Sequence, residues 1–314
     1  MLNRRLIRIK VFKVLYSNVI AETNSMESAQ KELLHSCEKT KELTMFMLNF
    51  AVALTSAAQE KIDLGLQKFH PTKEEATPNT KFAENGLAQL LLEKEDFVKY
   101  CQSNGLLWNG DMSKFVKKML ASISEKDYFR EYMSVEQRSL EEDCELFLRI
   151  FEEEFEDNQE IDDILEEVSL YWIDDLDYSL NVVLRLILSI KDGKKFKVPS
   201  LFIKEEDRDY ALQLFAYAYT NYNRLLAEIN DNLSNWDPER IVGVDMTLIV
   251  LGLAEAMKFP SIPVKVTINE FVEISKYYST VNSKTFVNGL LDKIIQQKIA
   301  RGEISKTGRG LIES

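Results

Sequence analysis

The sequence contains few of the residues from which catalytic and metal sites are usually built. Its 314 residues include three cysteines and two histidines. Cys37, Cys101 and Cys144 are far apart, and no paired spacing links them to His35 or His70, which argues against a zinc site and a disulfide framework. An odd number of scattered cysteines is typical of buried free thiols in a reducing compartment, so we expect the protein to be cytoplasmic.

The motifs of the common enzyme classes are also missing. The sequence has no glycine-rich phosphate loop, no Gly-x-Ser-x-Gly elbow and no dinucleotide-binding fingerprint. We therefore expect no catalytic residue, no metal and no cofactor, and the sequence gives no grounds for an enzyme. Glycine and proline are scarce as well, at 11 and 6 residues. With abundant Leu, Ile, Glu and Lys, this scarcity favours helices over sheets.

Long hydrophobic runs are absent too. The most apolar stretch, Met246 to Ala254, is about half of the roughly 18 to 20 residues that a membrane-spanning helix needs. It is flanked by Asp245 and Glu255, so we expect no association with a membrane. The N-terminus is basic but lacks a small-residue cleavage site, which argues against a signal peptide.

Acidic residues outnumber basic ones, and the formal net charge is −12. Such a charge argues against a protein that coats nucleic acid with its whole surface. The excess is concentrated between Glu141 and Asp177, where 17 Asp or Glu residues accompany a single basic residue, Arg149. Apolar residues recur through the same segment, which predicts helix. This acidic segment is either a solvated face or a docking surface for a basic protein.

The N-terminal segment has the opposite charge. Before the first acidic residue, Glu22, the sequence places five basic residues: Arg4, Arg5, Arg8, Lys10 and Lys13. The apolar spacing predicts a helix from Asn3 to Ile20, on which Arg4 and Arg8 are neighbours. The arginines are either solvated side chains of a core helix or ligands for phosphate groups.

Two further helices are predicted near the C-terminus. Thr267 precedes Glu270 by three positions, which is the pattern of a capping box. The next helix begins near Asn282 or Ser283, since both are favourable N-caps. Its interior glycine, Gly289, is less favourable in a helix than Ala by roughly 1 kcal/mol, so we expect another backbone segment to pass close to it.

The sequence resembles the NusB family of bacterial transcription antitermination factors in three stretches: RRLIRIKVFKVLYS at the N-terminus, and IPVKV and INEFVEISKYYSTVNSKTFVNGLLDKI near the C-terminus. The resemblance implies an all-α fold, a NusB-like helical bundle, here with an additional helical insertion. We expect the first helix of the NusB-like domain at 1–22 and a helical insertion at 23–200, acidic in its second half. The C-terminal NusB-like helical domain is expected at 201–300, followed by a disordered tail at 301–314.

The resemblance also implies a function. It implies binding of the boxA element of ribosomal RNA transcripts together with a small-subunit ribosomal protein (NusE), acting indirectly on RNA polymerase with other Nus factors. The residues that match RNA-binding positions are Arg4, Arg5, Arg8, Tyr16, Asn282, Ser283, Lys284 and Phe286. Arginine pairs with phosphate and tyrosine stacks on unpaired bases. Helix capping by Asn282 and Ser283 and core packing by Phe286 are the ordinary alternatives.

Contacts with the ribosomal protein are less well defined by the sequence. A basic partner should meet acidic surface, and the matched region offers Glu239, Glu255 and Glu273. Glu270 is expected to be occupied by helix capping. The alternative function is a NusB-like protein-interaction scaffold that uses its acidic insertion and binds little RNA.

Overall fold

The structure, a computed structural model, describes residues 1–21, 25–233 and 243–311. The described residues form fourteen α-helices and a short 3-10 helix, Gly308–Leu311, so the predicted all-α fold class is confirmed. In chain order the α-helices are α1 (Arg4–Ala21), α2 (Met26–Leu66), α3 (Lys73–Ala76), α4 (Gly86–Leu92), α5 (Glu95–Ser103), α6 (Met112–Ser124), α7 (Asp127–Ser134), α8 (Leu140–Glu153), α9 (Gln159–Val168), α10 (Leu176–Lys191), α11 (Glu205–Asp231), α12 (Gly243–Lys258), α13 (Val264–Tyr278) and α14 (Ser283–Ala300).

The chain divides into two compact units. The central unit contains Met1 and Glu38–Ser200, and the terminal unit contains the described residues of Leu2–Cys37 and Leu201–Ser314. Besides α1, the terminal unit therefore includes the first turns of α2. Its N-terminal part is longer than the stretch 1–22 that we predicted from the sequence.

Helix α12 lies at the centre of the terminal unit. It packs against α1, α11, α13 and α14, and its residues Met246 to Ala256 are buried on every side. A helix that is hydrophobic all round is expected in such a position. The apolar run seen in the sequence is thus a core helix. None of the helices in the described ranges combines the length and the apolar character that a membrane span requires.

A glycine allows α12 and α14 to approach closely. A Cβ atom added at Gly252 of α12 would lie 2.6 Å from Leu291 Cδ2 and 2.9 Å from Leu291 Cδ1 on α14. The sequence placed such a close approach at Gly289; the approach that the structure describes is at Gly252, and Gly289 is exposed.

The residues after α14 pack against the end of α12 up to Leu311. Ile304 is buried, and Lys306 Nζ donates hydrogen bonds to the carbonyl oxygens of Ala256 (2.8 Å) and Phe259 (3.1 Å). Carbonyl groups at a helix C-terminus carry partial negative charge and lack partners within the helix, so a lysine side chain satisfies them. The expectation of a disordered tail is therefore corrected for residues 301–311.

The central unit is built around aromatic side chains from α2. The Phe46 ring stacks on Trp108 at 4.2 Å between centroids, and it contacts Trp172 at 5.2 Å. The Trp108 indole also donates a hydrogen bond to the Phe46 carbonyl oxygen, 2.9 Å away. Trp108 and Trp172 come from connections between helices, so these contacts fix two loops against α2. Aromatic rings of this kind dominate the energetics of protein cores.

We expect opposite effects from two glycine substitutions in the terminal unit. Gly252→Ala should lower the free energy of unfolding by about 1–3 kcal/mol because the new methyl group overpacks the contact with Leu291. Gly289→Ala, its control on the exposed side of α14, should raise that free energy by roughly 0.5–1 kcal/mol through helix propensity. Urea denaturation followed by circular dichroism measures both. Equal effects of the two substitutions would contradict the packing of α12 on α14.

Candidate nucleic-acid interface

Helix α1 carries the three predicted arginines in its first turns. Arg8 is 3% exposed and faces Glu255 of α12, which is 0% exposed. Its Nε donates to Glu255 Oε2 at 2.7 Å and its Nη2 donates to Oε1 at 3.0 Å. The guanidinium therefore holds the carboxylate through two parallel hydrogen bonds, the strongest geometry for this pair.

The Glu255 carboxylate accepts two further hydrogen bonds. The Tyr210 hydroxyl of α11 donates to Oε2, and the Thr267 hydroxyl of α13 donates to Oε1 at 2.7 Å. One carboxylate thus receives donors from α1, α11 and α13. A buried charge persists in a protein only when it is paired and hydrogen-bonded in this way.

The protonation states of this cluster follow from its geometry. Burial alone would lower the pKa of Arg8, but the Glu255 and Glu270 carboxylates raise it above its ordinary value. Burial and the Glu255 charge together raise the pKa of Tyr210 well above its ordinary value. Arg8 therefore stays charged, and Tyr210 keeps the proton that it donates to Glu255.

Arg4 and Arg5 are more exposed than Arg8, and each is paired with a carboxylate. Arg5 Nε and Nη2 donate to Glu270 Oε2 and Oε1, both at 2.9 Å, and Arg4 Nε donates to Asp207 Oδ1 at 3.0 Å. Burial would raise the pKa of Glu270, but Arg5 and Arg8 outweigh it and hold that pKa below its ordinary value. The fold thus neutralises much of the N-terminal positive charge.

Two residues predicted as surface contacts are corrected by these observations. Arg8 offers no accessible surface to a phosphate group, and Glu255 offers none to a protein partner. Lys10, another member of the basic N-terminal segment, is buried as well. Arg4 and Arg5 keep about half of their side-chain surface accessible.

The predicted capping box of Thr267 and Glu270 does not form. Helix α13 begins at Val264, with Pro263 in the N-cap position, so Thr267 lies inside the helix. Its hydroxyl donates a hydrogen bond to the Glu255 carboxylate, and the Glu270 carboxylate accepts hydrogen bonds from Arg5. Both side chains are used in tertiary contacts because α13 packs against α12 and faces α1. The capping pattern in the sequence contains no information about these facing residues.

The start of α14 is held by Ser283. This buried side chain donates a hydrogen bond to Asp245 Oδ2 of α12 (2.7 Å) and accepts one from the Thr280 backbone N–H (3.1 Å). Phe286, one turn later, is buried in the core of the terminal unit. Both predicted site residues therefore have structural roles and position the exposed side chains beside them.

Asn282 and Lys284 are those exposed side chains. Asn282 occupies the N-cap position of α14, but its side chain makes no capping hydrogen bond. Its amide offers two donors and one acceptor and does not hold the helix end. Of the four site residues predicted near the C-terminus, these two are exposed at the surface.

Tyr16 of α1 is half-buried and lies near the end of α13. Its ring stacks on Phe12 with 5.8 Å between centroids, and Phe12 contacts the Tyr278 ring at 5.6 Å. The Lys13 ammonium lies 5.3 Å from the centroid of the same Tyr278 ring. Helix α1 therefore meets the C-terminal end of α13 through aromatic contacts, whereas Arg5 and Arg8 pair with Glu270 earlier in α13.

The first turn of α12 links Tyr16 to the start of α14. A Cβ added at Gly243 would lie 3.7 Å from Tyr16 Cε2, and Asp245, two residues later, accepts the hydrogen bond of Ser283. The predicted tyrosine and the predicted α14 residues consequently occupy one region of the terminal unit.

We call this region the α1–α14 corner and define it by its accessible side chains: Lys13, Tyr16, Tyr277, Asn282 and Lys284. Tyr277 is 81% exposed. Sequence reasoning did not select Lys13 and Tyr277 as site residues. Lys13 could have been found because it precedes Tyr16 by three positions on one helix. The corner combines cations, an amide and aromatic rings, which are the groups that bind unpaired nucleotides.

The predicted partner-binding glutamates do not form a surface together. Glu255 is buried, as described above. Glu273 of α13 is partly exposed and forms an ion pair with Lys276. Glu239 lies outside the described residues.

The thiols and carboxylates do not assemble into a reactive centre in the described part of the chain. The three cysteine side chains are buried there, as expected. Burial raises the pKa of both Cys101 and Cys144 to about 12, so these thiols are protonated and poorly nucleophilic at neutral pH. Within the same residues, no group of three or more His, Cys, Asp or Glu side chains is arranged to hold a metal ion.

Comparison with known proteins places this helical unit in a family. A sequence profile of the NusB family matches residues 195–296, which span α11, α12, α13 and most of α14. The transcription antitermination protein NusB of Salinibacter ruber is 39% identical over 105 residues, covering 33% of this chain and 66% of the relative. The NusB proteins of Chloroherpeton thalassium and Clostridium botulinum are 33% and 34% identical over 106 and 104 residues, covering 50% and 74% of those relatives and about a third of this chain.

The all-helical part of the terminal unit from residue 201 to residue 296 thus matches the sequences of proteins named as transcription antitermination factors. The chain belongs to the NusB family. It spans two thirds or less of the length of the Salinibacter and Chloroherpeton relatives. No solved structure matches it significantly.

The buried pair predicts large stability effects at Arg8. Arg8→Met should lower the free energy of unfolding by about 3–5 kcal/mol because it leaves the Glu255 charge buried and unpaired. Adding Glu255→Met should restore part of this loss, since the uncompensated charge disappears. The control Arg5→Met, at a half-exposed ion pair, should lower it by roughly 1 kcal/mol or less. Chemical denaturation measures all three, and equal losses at Arg5 and Arg8 would contradict a buried role for Arg8.

Proposed function

We propose that this chain is an RNA-binding transcription antitermination factor that acts in the cytoplasm by binding and not by catalysis. Its RNA ligand is the single-stranded boxA-like element of ribosomal RNA transcripts, bound together with a small-subunit ribosomal protein (NusE). RNA polymerase and the other Nus factors are reached through that complex, and no membrane takes part. The observation that carries the proposal is the NusB match over residues 195–296, which contains the α13–α14 connection.

The α1–α14 corner supplies the direct RNA contacts in this proposal. Lys13 and Lys284 pair with phosphates, Tyr16 and Tyr277 stack on unpaired bases, and the Asn282 amide reads a base edge. Charge gives affinity that falls with salt, whereas stacking and edge contacts select single-stranded RNA. Ser283 and Phe286 act indirectly because they fix the backbone that presents Asn282 and Lys284.

Arg4 and Arg5 extend the positive surface without being fully available to RNA. Exposed ion pairs contribute only about 0–1 kcal/mol, so a phosphate can compete with Asp207 or Glu270 for either guanidinium. Arg8 is assigned to the buried core and to no RNA contact. The basic ribosomal protein is expected to use acidic surface of the terminal unit, for which Glu273 is the accessible candidate among the described residues; Glu239 is a candidate from the sequence alone.

A protein-interaction scaffold is the second candidate function. The observation that favours it is the engagement of all three N-terminal arginines with carboxylates of the same chain, which leaves less positive surface than the sequence suggests. In this alternative the acidic helices of the central unit carry the activity, and the α1–α14 corner binds RNA weakly or not at all.

The proposal is tested by fluorescence anisotropy with a labelled boxA-like RNA, the full chain and the purified ribosomal protein. The double variant Lys13→Ala/Lys284→Ala should weaken binding and reduce the slope of log affinity against log salt by roughly 1.4, since each phosphate of a single strand that a lysine neutralises adds about 0.7 to that slope. Tyr16→Ala should weaken binding by about 1–3 kcal/mol with an unchanged slope, because it removes stacking and no charge.

The matched control is Lys73→Ala/Lys195→Ala, which removes the same charge at exposed positions of the central unit and should leave the salt slope unchanged. Identical slopes for the two lysine pairs would rule out the α1–α14 corner. If the RNA is not retained at all in the presence of the ribosomal protein, the scaffold function is supported instead.

A further inference from the structure

The outer side of α9, in the central unit, is a continuous acidic surface. Ile161 and Leu165 anchor the helix in the core. The four acidic residues on the opposite side are exposed: Asp162, Asp163, Glu166 and Glu167. Residues four apart on a helix are neighbours, so this side of α9 consists of two like-charged pairs.

This arrangement opposes the stability of α9. Its last turn contains Glu166 and Glu167 and no basic residue, although the C-terminal end of a helix favours cations. Among the described residues, Asp162, Glu166 and Glu167 form no ion pair, and the nearby Lys118 is bonded to Glu160. Solvation alone does not explain why carboxylates lie at the C-terminal end of α9, where they are unfavourable. Their position suggests a role outside the fold.

Exposed apolar side chains follow at the end of the helix and just beyond it. Val168, the last residue of α9, is exposed, and in the turn between α9 and α10 Leu170 is 73% exposed, Ile173 is 49% exposed and Tyr171 is exposed as well. Single exposed apolar residues are ordinary, but four within six positions form a patch. The acidic side of α9 is therefore followed directly in the chain by an exposed apolar patch.

The turn is held firmly in place. Trp172, between the exposed residues, is 1% exposed and packs against Phe46. The Trp172 N–H donates to the Ser169 carbonyl oxygen at 2.9 Å, and the Asp175 N–H donates to the Trp172 carbonyl oxygen at 3.0 Å. Leu170 and Ile173 are thus fixed outward by their neighbours, which reduces the ordering that binding would require.

We infer that the α9–α10 surface, defined by Asp162, Asp163, Glu166, Glu167, Leu170 and Ile173, is a docking site for a basic amphipathic segment of another protein. Charge complementarity identifies the occupant. Lysine or arginine side chains on one side of the segment meet the carboxylates, and its apolar side covers Leu170 and Ile173. RNA and anionic lipid surfaces are excluded as occupants because the carboxylates repel phosphates.

This site goes beyond the proposed RNA-binding function, since α9 lies in the central unit and outside the residues that match the NusB family. Its test and the RNA-binding test can consequently fail separately. Loss of one activity leaves the prediction for the other unchanged.

The experiment uses the full chain and three fluorescein-labelled peptides of about 18 residues, long enough for five helical turns. The first is an amphipathic Leu/Lys helix, the second an oligolysine of equal charge, and the third a Leu/Glu helix. We expect saturable binding of the Leu/Lys helix, binding of oligolysine that is at least about tenfold weaker, and none of the Leu/Glu helix. Absence of Leu/Lys binding, or equal binding of oligolysine, would overturn the inference.

Substitutions locate the binding site. Glu166→Lys/Glu167→Lys and, separately, Leu170→Ser/Ile173→Ser should each weaken Leu/Lys binding by about tenfold or more. Their controls make the same changes at other exposed positions of the central unit, Glu93→Lys/Glu136→Lys and Leu92→Ser/Leu188→Ser, and should change it by less than about twofold. Equal weakening by a control pair would mean that the peptide binds diffusely.

Thermal unfolding separates loss of binding from loss of folding. Lysine at positions 166 and 167 is favourable for the C-terminal end of α9 and relieves its like-charged pairs. We therefore expect the charge-reversed variant to unfold at the same or a higher temperature than the unmodified chain while it loses peptide binding. A lower unfolding temperature would contradict the claim that these carboxylates oppose the fold.

Discussion

The buried carboxylate of Glu255 joins four helices of the terminal unit. Glu255 lies in α12, which is buried on every side, and an unpaired charge there would be strongly unfavourable. Its partners, Arg8, Tyr210 and Thr267, come from three different helices. The cluster therefore fixes the positions of α1, α11 and α13 around α12 more specifically than apolar contacts can. A buried pair of this kind is weak evidence for net stability, but it penalises every packing in which one partner is missing.

This constraint explains which parts of the structure could be predicted from the sequence. Helix identity and the buried stripe of α14 follow from apolar spacing, because that spacing reflects one helix at a time. The use of Thr267 and Glu270 depends instead on what α12 and α1 present to α13, and spacing within α13 does not encode it. The buried acid in an apolar run was a usable signal, since Glu255 requires a cationic partner. The identity of that partner required the fold.

Contacts between helices also change how the basic N-terminal segment is interpreted. Five basic residues before the first acid appear as a positive patch when the sequence is considered alone. In the fold, Arg8 and Lys10 are buried, and Arg4 and Arg5 face carboxylates of α11 and α13. The side chains that stay accessible at the α1–α14 corner include Lys13, Tyr16 and the residues beside Ser283. In the function proposed above, selectivity for unpaired RNA rests on aromatic and amide groups, and charge contributes mainly affinity.

In the central unit, the carboxylates of α9 oppose the stability of their helix, unlike the arginine-paired carboxylates of the terminal unit. In the terminal unit, the carboxylates of Asp207, Glu255 and Glu270 pair with arginines of α1, so these charges stabilise the packing of the helices. On α9, carboxylates are placed at the helix end that disfavours them and beside exposed apolar side chains. Natural sequences are locally consistent except where function requires otherwise. Unfavourably placed carboxylates and exposed apolar side chains in the same segment are therefore better explained by an external partner than by solvation. A basic amphipathic segment would pair with the carboxylates and cover the apolar side chains.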